Sequence, residues 1–342
     1  MKERIRVLII EDSILMVNVI SDMLRSDQRL EVLGYARNGK EGLEKVTSFN
    51  PDVVTLDMEM PVMNGIEFLK KIMNTHPVPV VMLSAYTKDG ARETIEALSL
   101  GAVDFVLKPS GSISLNMSVI KKELIKKIVL AAGIKEGGLL KPHKVKSEHS
   151  RYIPTDTEPK IIVLCSSTGG PRALNVILSS LPRNLNACII IIQHMSREFT
   201  PMLAERLDRI SGLDVVEAKG GESLLREKVY VAPGGKHLEV TREGRLVLSN
   251  KPKRHSVRPS CDVTLKSLAG FGSRVLAVVL TGMGKDGSEG LCEIKRENGS
   301  VVVEDASTSV IFGMPKAAIE TGFVDRVVPL TQIAREIIDF AR

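Results

Sequence analysis

Short β-branched runs alternate with amphipathic stretches along almost the whole chain, and this alternation restricts the fold more than any other feature of the sequence. In the first 130 residues the strand candidates are 6–10 (RVLII), 30–36 (LEVLGYA), 52–57 (DVVTLD), 79–84 (PVVMLS) and 104–108 (DFVLK). Between them lie amphipathic segments such as ILMVNVISDMLRS and GKEGLEKVTSF, and VIKKELIKKIVL supplies a closing helix over roughly 117–132. Such a pattern predicts a parallel sheet wrapped by helices. It lapses after about residue 134 into a stretch of Gly, Pro and mixed charge, then resumes at 160–165 (KIIVLC), 187–193 (ACIIIIQ), 228–232 (KVYVA), 245–249 (RLVLS), 274–282 (RVLAVVLTG) and 299–305 (GSVVVED). These later runs are almost uninterruptedly apolar, as strands buried on both faces should be. The expected architecture is two α/β domains, each a doubly wound parallel sheet, at 1–130 and 159–342, joined by a flexible linker at 131–158.

A length of 342 residues agrees with two domains. With 43% hydrophobic and 26% charged residues the chain can build real cores, and the absence of Trp leaves Val, Ile, Leu and Met to fill them. The net charge of +6 is spread among acids and reads as solvated surface. Cys165, Cys188, Cys261 and Cys292 show no metal-ligand spacing. The start MKERIRVLIIED turns acidic too soon for a secretory signal, and no run reaches the roughly 18 apolar residues of a membrane span. A reduced, cytoplasmic protein without membrane insertion is expected.

In the first half, polar residues collect where strands end: Glu11 and Asp12 after the first, Asp57 at the end of the third, Ser84 at the end of the fourth, and Lys108 after DFVL. Carboxyl ends of parallel strands converge on one crevice. Carboxylates gathered there repel unless a hard cation such as Mg²⁺ sits among them, and a lysine and a hydroxyl alongside could hold a phosphoryl group. Singly, each residue has a plainer role: Glu11 and Asp12 as helix caps, Lys108 as surface. Together, this half resembles the receiver domain of response regulators, a flavodoxin-like fold, in IIEDS, LDMEMPVMNG, MLSAY and GAVDFVLKP. That resemblance implies phosphorylation at Asp57 and Mg²⁺ held by Glu11, Asp12, Asp57 and the carbonyl of Glu59. It further implies phosphoryl contacts from Ser84 and Lys108, a switch aromatic at Phe105 and a cis Lys108–Pro109 bond.

In the second half, SSTGG, QHM and GMGKDG each follow a strand and should meet at one sheet edge. The cast is then serine, histidine and aspartate: a hydroxyl needs an imidazole to take its proton, and the imidazole needs a carboxylate to hold its tautomer. His194 follows five apolar residues and a Gln, an unusual place for a solvated histidine. Plainer readings exist for each: a structural histidine, a turn aspartate at 286, an N-cap at Thr168. SSTGGP as a phosphate loop lacks both the lysine of the P-loop and the G-x-G-x-x-G spacing, and it lacks G-x-S-x-G as well.

Residues 160–325 are similar to the catalytic domain of chemotaxis protein-glutamate methylesterases, a Rossmann-like α/β domain, in SSTGG, IIIQHM, VYVAPGGKHL, VRPSCDVT, VLTGMGKDGSEGL and SVIFGMPKAA. The resemblance selects Ser167, directly before T-G-G, as nucleophile over Ser166, with His194 as base and Asp286 as its orienting carboxylate. Thr168 and the backbone N–H of Met283 would support the oxyanion. One departure is that Cys165 and Ser166 stand where the family has a glycine and a small residue; Cys165 at a strand end reads as a packed thiol. The implied activity is hydrolysis of glutamate γ-methyl esters, and deamidation of glutamines, on chemoreceptors, with no cofactor in this domain. A histidine kinase would phosphorylate a receiver that covers the esterase cleft until then. A monomer is expected. Nucleic acid is not an expected partner, because the second half lacks a helical module with a basic recognition helix.

Overall fold

The computed structural model describes residues 4–84, 87–108, 117–134 and 158–342. The chain divides into two compact units, Met1–Lys141 and Pro142–Arg342. The expected linker lies mostly outside the described residues, as does Pro109 and with it the expected cis bond.

The first unit runs β1 (Ile5–Ile10), α1 (Ile14–Arg25), β2 (Leu30–Ala36), α2 (Gly39–Phe49), β3 (Val53–Asp57), α3 (Gly65–Thr75), β4 (Val80–Ser84), α4 (Lys88–Leu100), β5 (Asp104–Leu107) and α5 (Met117–Ala132). Its five strands are all parallel in the order β2-β1-β3-β4-β5, a doubly wound sheet with its switch point between β1 and β3. Every residue of β3 and β4 is buried, which explains their continuous apolar character. The cap of α1 is Ser13, whose Oγ accepts the Met16 N–H; Glu11 and Asp12 are therefore left free of that duty. Asn64 and Glu67 form a reciprocal capping box that starts α3.

The second unit continues with β6 (Lys160–Ser166), α6 (Gly170–Leu178), β7 (Ala187–Gln193), α7 (Thr200–Ile210), β8 (Asp214–Glu217), β9 (Lys228–Val231), β10 (His237–Val240), β11 (Leu246–Ser249) and α8 (Cys261–Leu268). After a 3-10 turn come β12 (Val275–Val279), α9 (Ser288–Arg296), β13 (Ser300–Glu304), α10 (Met314–Glu320), β14 (Arg326–Val328) and α11 (Leu330–Ala341). Seven parallel strands order as β14-β13-β12-β6-β7-β9-β8. From β6 the chain winds outward one way, then returns and winds the other way from β12, so the switch point lies between β6 and β12. Ligands in such sheets bind at that crevice, beyond the strands' carboxyl ends.

Three strands escaped sequence reading. β8, β10 and β14 are only three or four residues long, too short for a period to show. The run at 245–249 also pairs differently from its neighbours: β11 joins β10 in a separate antiparallel hairpin. No helix among the described residues is long and apolar enough to cross a membrane.

Candidate active site and acidic pocket

Strand register brings the serine and the histidine together. Ser166 pairs with Gln193 across β6 and β7, and the His194 N–H donates to the Ser166 carbonyl at 3.0 Å, so Ser167 and His194 leave the sheet side by side. On the other flank β12 pairs with β6, Val279 against Cys165, and the Ser167 N–H donates to the Thr281 carbonyl at 3.0 Å. The loop after β12 then delivers Asp286. His194 Nε2 and Asp286 Oδ2 are 2.7 Å apart, with the histidine side chain only 8% exposed.

Asp286 is held by more than the histidine. Oδ1 accepts the Ser260 hydroxyl at 2.7 Å and the Asp262 N–H at 3.2 Å, while Oδ2 also accepts the Cys261 N–H at 2.7 Å. These donors form the N-terminus of α8, where free N–H groups and the helix dipole favour an anion. Burial pushes the Asp286 carboxyl up, but His194, the Ser260 hydroxyl and the Cys261 N–H outweigh it and hold the group well below the ordinary carboxylate range. The anchoring role of Ser260 and Cys261 was not read from the sequence. Its signal was present in P-S-C-D, a serine directly before a helical stretch.

Ser166 and Ser167 have different surroundings. Ser166 is fully buried and its Oγ donates to Gln193 Oε1 at 2.7 Å. The Gln193 amide in turn donates to the carbonyls of Ser167 at 2.9 Å and His194 at 3.2 Å, tying the two strand ends together. Ser167 is half-buried at the turn itself. Cys165 is fully buried in the apolar core, beside Cys261 in the same cluster. Thr168 does not cap α6; Gly169 does, at φ 81°, and the Thr168 carbonyl accepts the Thr281 hydroxyl at 2.9 Å.

Met283 has a 40% exposed side chain, and the peptide before it is fixed. The Gly282 carbonyl accepts N–H groups from Gly313 at 3.1 Å and Met314 at 2.8 Å. In a trans peptide the N–H points opposite to the C=O, so the Met283 N–H is directed away from these two partners. A Cβ at Gly282 would lie 2.8 Å from the Ser167 Cβ and 2.5 Å from Met314 Sδ, so only glycine permits this approach. Gly170 is equally confined: an added Cβ would lie 2.0 Å from Gln193 Oε1. Gly170→Ala is expected to break the Ser166–Gln193 bond, lowering the melting temperature of this unit and its turnover together; an unchanged melting curve would contradict that role.

In the first unit Glu11, Asp12, Ser13, Met16, Asp57, Met58, Glu59, Gly90, Glu93 and Lys108 surround a cavity of about 300 Å³. Carboxylate oxygens of Glu11, Asp12 and Asp57 lie within 4.8 Å of one another. Lys108 Nζ is 2.8 Å from Asp57 Oδ1 and 3.0 Å from Glu11 Oε2, so it is no surface lysine. Burial and then the Asp57 charge push the Glu11 carboxyl up, with Lys108 only partly opposing them. Burial pushes the Lys108 ammonium down, but Asp57 and Glu11 more than compensate and raise it. Ser84, placed by the sequence at this crevice, is fully buried; its Oγ accepts the Thr94 hydroxyl at 2.7 Å and donates to the Gly90 carbonyl at 3.4 Å. Phe105 is half-buried on β5 with the Lys127 ammonium 5.0 Å from its ring centre. Gly90 and Glu93 at the rim went unread, because both sit inside the amphipathic pattern of α4.

Comparison with known proteins places each half of the chain in a family. The family model described as CheB methylesterase matches residues 162–337, and that of the response regulator receiver domain matches residues 7–119. A protein-glutamate methylesterase/protein-glutamine glutaminase of Pyrococcus abyssi is 46% identical over 98% of this chain and 93% of its own length. One of the same description from Geobacillus kaustophilus is 46% identical over 98% of both. The crystal structure of the Thermotoga maritima CheB methylesterase catalytic domain superposes with a TM-score of 0.52 at 44% identity, covering 54% of this chain and 99% of that one.

Proposed function

The chain belongs to the CheB methylesterase family, and from that premise we propose that it is a protein-glutamate methylesterase and protein-glutamine glutaminase acting through Ser167, His194 and Asp286 under control of Asp57. The observation that carries this reading is the 2.7 Å His194–Asp286 pair seated where adjacent strands β6 and β7 release Ser167 and His194.

Ser167 Oγ attacks the γ-ester carbonyl of a methylated glutamate. Because Nε2 of His194 is engaged by Asp286, Nδ1 is the nitrogen that takes the serine proton and returns it to departing methanol. Water, deprotonated by the same nitrogen, then cleaves the acyl-serine to free glutamate and Ser167. A glutamine follows the same path with ammonia as leaving group. Asp286 stays ionised and steadies the imidazolium. The Met283 N–H, with the Thr168 segment beside it, supports the oxyanion; one such donor is worth about 3–4 kcal/mol in the transition state. His194 at a sheet edge, paired and directed, does not behave as a merely structural histidine.

In the receiver, Asp57 accepts the phosphoryl group from a histidine kinase. The three-carboxylate, oxygen-only cluster of Glu11, Asp12 and Asp57 suits Mg²⁺, since among the described residues Lys108 is the cation paired with these charges; the backbone carbonyl of Glu59, which lines the same cavity, would complete the set. When bound, Mg²⁺ neutralises charge on the incoming phosphoryl oxygens. Lys108 holds the phosphoryl group, Ser84 contacts it by turning its hydroxyl from Thr94, and Phe105 follows. Phosphorylation adds nearly two negative charges at Asp57 and raises esterase turnover, giving adaptation of chemoreceptor signalling in the cytoplasm. A tenfold activation needs about 1.4 kcal/mol of coupling.

The test is methanol release from methylated chemoreceptor membranes, with and without a small-molecule phosphodonor and Mg²⁺. Asp57→Asn should take up no phosphoryl group and show no stimulation, while keeping its basal rate. Stimulation persisting in Asp57→Asn would remove Asp57 from the control of turnover.

A further inference from the structure

We propose that Glu304 is a positioning residue for the reaction, holding the Ser167 turn in place through the backbone of Thr281. The inference rests on Ser167 being the nucleophile.

Glu304 ends β13, next to β12, and is wholly buried, yet the chemistry above does not use it. Its Oε2 accepts the Thr281 N–H at 2.8 Å and its Oε1 accepts the Thr308 hydroxyl at 3.1 Å. Thr281 passes this anchorage on. Its carbonyl accepts the Ser167 N–H at 3.0 Å, its hydroxyl donates to the Thr168 carbonyl at 2.9 Å, and the same hydroxyl accepts the Ile311 N–H at 2.9 Å. The next residue is Gly282, whose α-carbon closes on Ser167 and whose peptide presents the Met283 N–H. One carboxylate therefore sits behind both the nucleophile and the oxyanion donor.

The charged groups facing Glu304 are Arg172, buried on α6, and Asp305, its neighbour in the chain; Thr281 and Thr308 contribute dipoles. Burial raises the Glu304 carboxyl, the Thr281 N–H, Thr308 and Arg172 oppose that rise and Asp305 adds to it, leaving the group at about 7. Neutral acceptors could satisfy the same two donors at a lower desolvation cost. What ionisation adds is a charge-assisted bond to the Thr281 N–H, roughly twice as strong as a neutral one. The turn is thus held more firmly as pH rises through the Glu304 ionisation, which contributes to the acid limb of turnover.

The test compares full-length wild type with Glu304→Gln on methylated receptor membranes across about pH 5.5 to 8.5, bracketing the Glu304 ionisation. At about pH 8 the variant should lose about tenfold in kcat, the size of one strengthened hydrogen bond, with KM nearly unchanged. The difference should vanish towards about pH 5.5, where wild type carries a protonated carboxyl that glutamine mimics. A raised carboxylate pKa stabilises the fold at low pH and is lost as pH rises through it, so Glu304→Gln should melt higher than wild type at about pH 8 and equally near pH 5. A slower but more stable variant is what positioning predicts and a structural role does not. Thr308→Val, removing one donor to the carboxylate, should move the acid limb to higher pH. Equal rates at pH 8, or one constant ratio at every pH, would overturn the proposal. Turnover surviving in Ser167→Ala would instead mark failure of the serine mechanism itself.

Discussion

Ser167→Ala is expected to lower methanol release by about a million-fold in kcat, the loss other triads show without their serine. Ser166→Ala should keep turnover within about tenfold of wild type, since its hydroxyl serves Gln193 rather than substrate. Its cost falls on stability instead: Gln193 Oε1 would be left buried without its donor, at about 1–3 kcal/mol, read as a lower melting temperature. The two serines are adjacent in sequence but face different environments, so the pair of variants separates chemistry from support. If Ser166→Ala were the silent enzyme and Ser167→Ala the active one, the nucleophile would have to be reassigned to the buried position. Turnover remaining in both would turn attention to Cys165, against its complete burial.

Asp286→Asn is the second large effect, about ten-thousand-fold in kcat by analogy with other orienting carboxylates. An amide has one acceptor oxygen, so it can keep the Ser260 hydroxyl and Asp262 N–H on one side but not the Cys261 N–H on the other, and His194 loses its preferred tautomer and the charge opposite its cationic form. Two physical consequences can be measured together. Activity falls because Nδ1 is no longer held as the basic nitrogen. Stability changes its pH dependence because the folded Asp286 carboxyl lies below its unfolded value. A depressed carboxylate contributes stability above the unfolded pKa and loses it as pH falls, so wild type should weaken progressively below about pH 5. Asp286→Asn should show a shallower acid dependence in thermal melts. Identical acid profiles for the two proteins would mean that the charge of Asp286 is not what the α8 N-terminus and His194 stabilise.

The role of the second serine shows how far reading the chain alone can go. The serines before T-G-G, a histidine beyond an apolar strand and an aspartate in a glycine-rich loop each follow a strand, and converging strand ends place the proposed reacting residues together; the choice of Ser167 over Ser166 comes from the family resemblance. The acidic pocket is legible for the same reason: Glu11, Asp12, Asp57 and Lys108 all follow parallel strands. Ser84 also ends its strand, with a fully buried hydroxyl bonded to Thr94. Strand position determines proximity; it does not determine which way a small side chain rotates.

Alternating patterns along the sequence determine two parallel α/β units and the sheet edge at which each site must form, since buried parallel strands need continuous β-branched runs and their loops must gather at one end. They do not determine what stands behind the reacting groups. That Ser260 and the Cys261 N–H hold Asp286, that Gln193 ties the two strand ends together, and that Glu304 reaches Ser167 through Thr281 follow from contacts between residues at least 23 positions apart. Gln193 and Glu304 carry no local period and no motif of their own, and P-S-C-D marks a helix start without naming the carboxylate it holds. Only packing the strands side by side decides which buried polar group meets which, because each must find a partner once water is excluded.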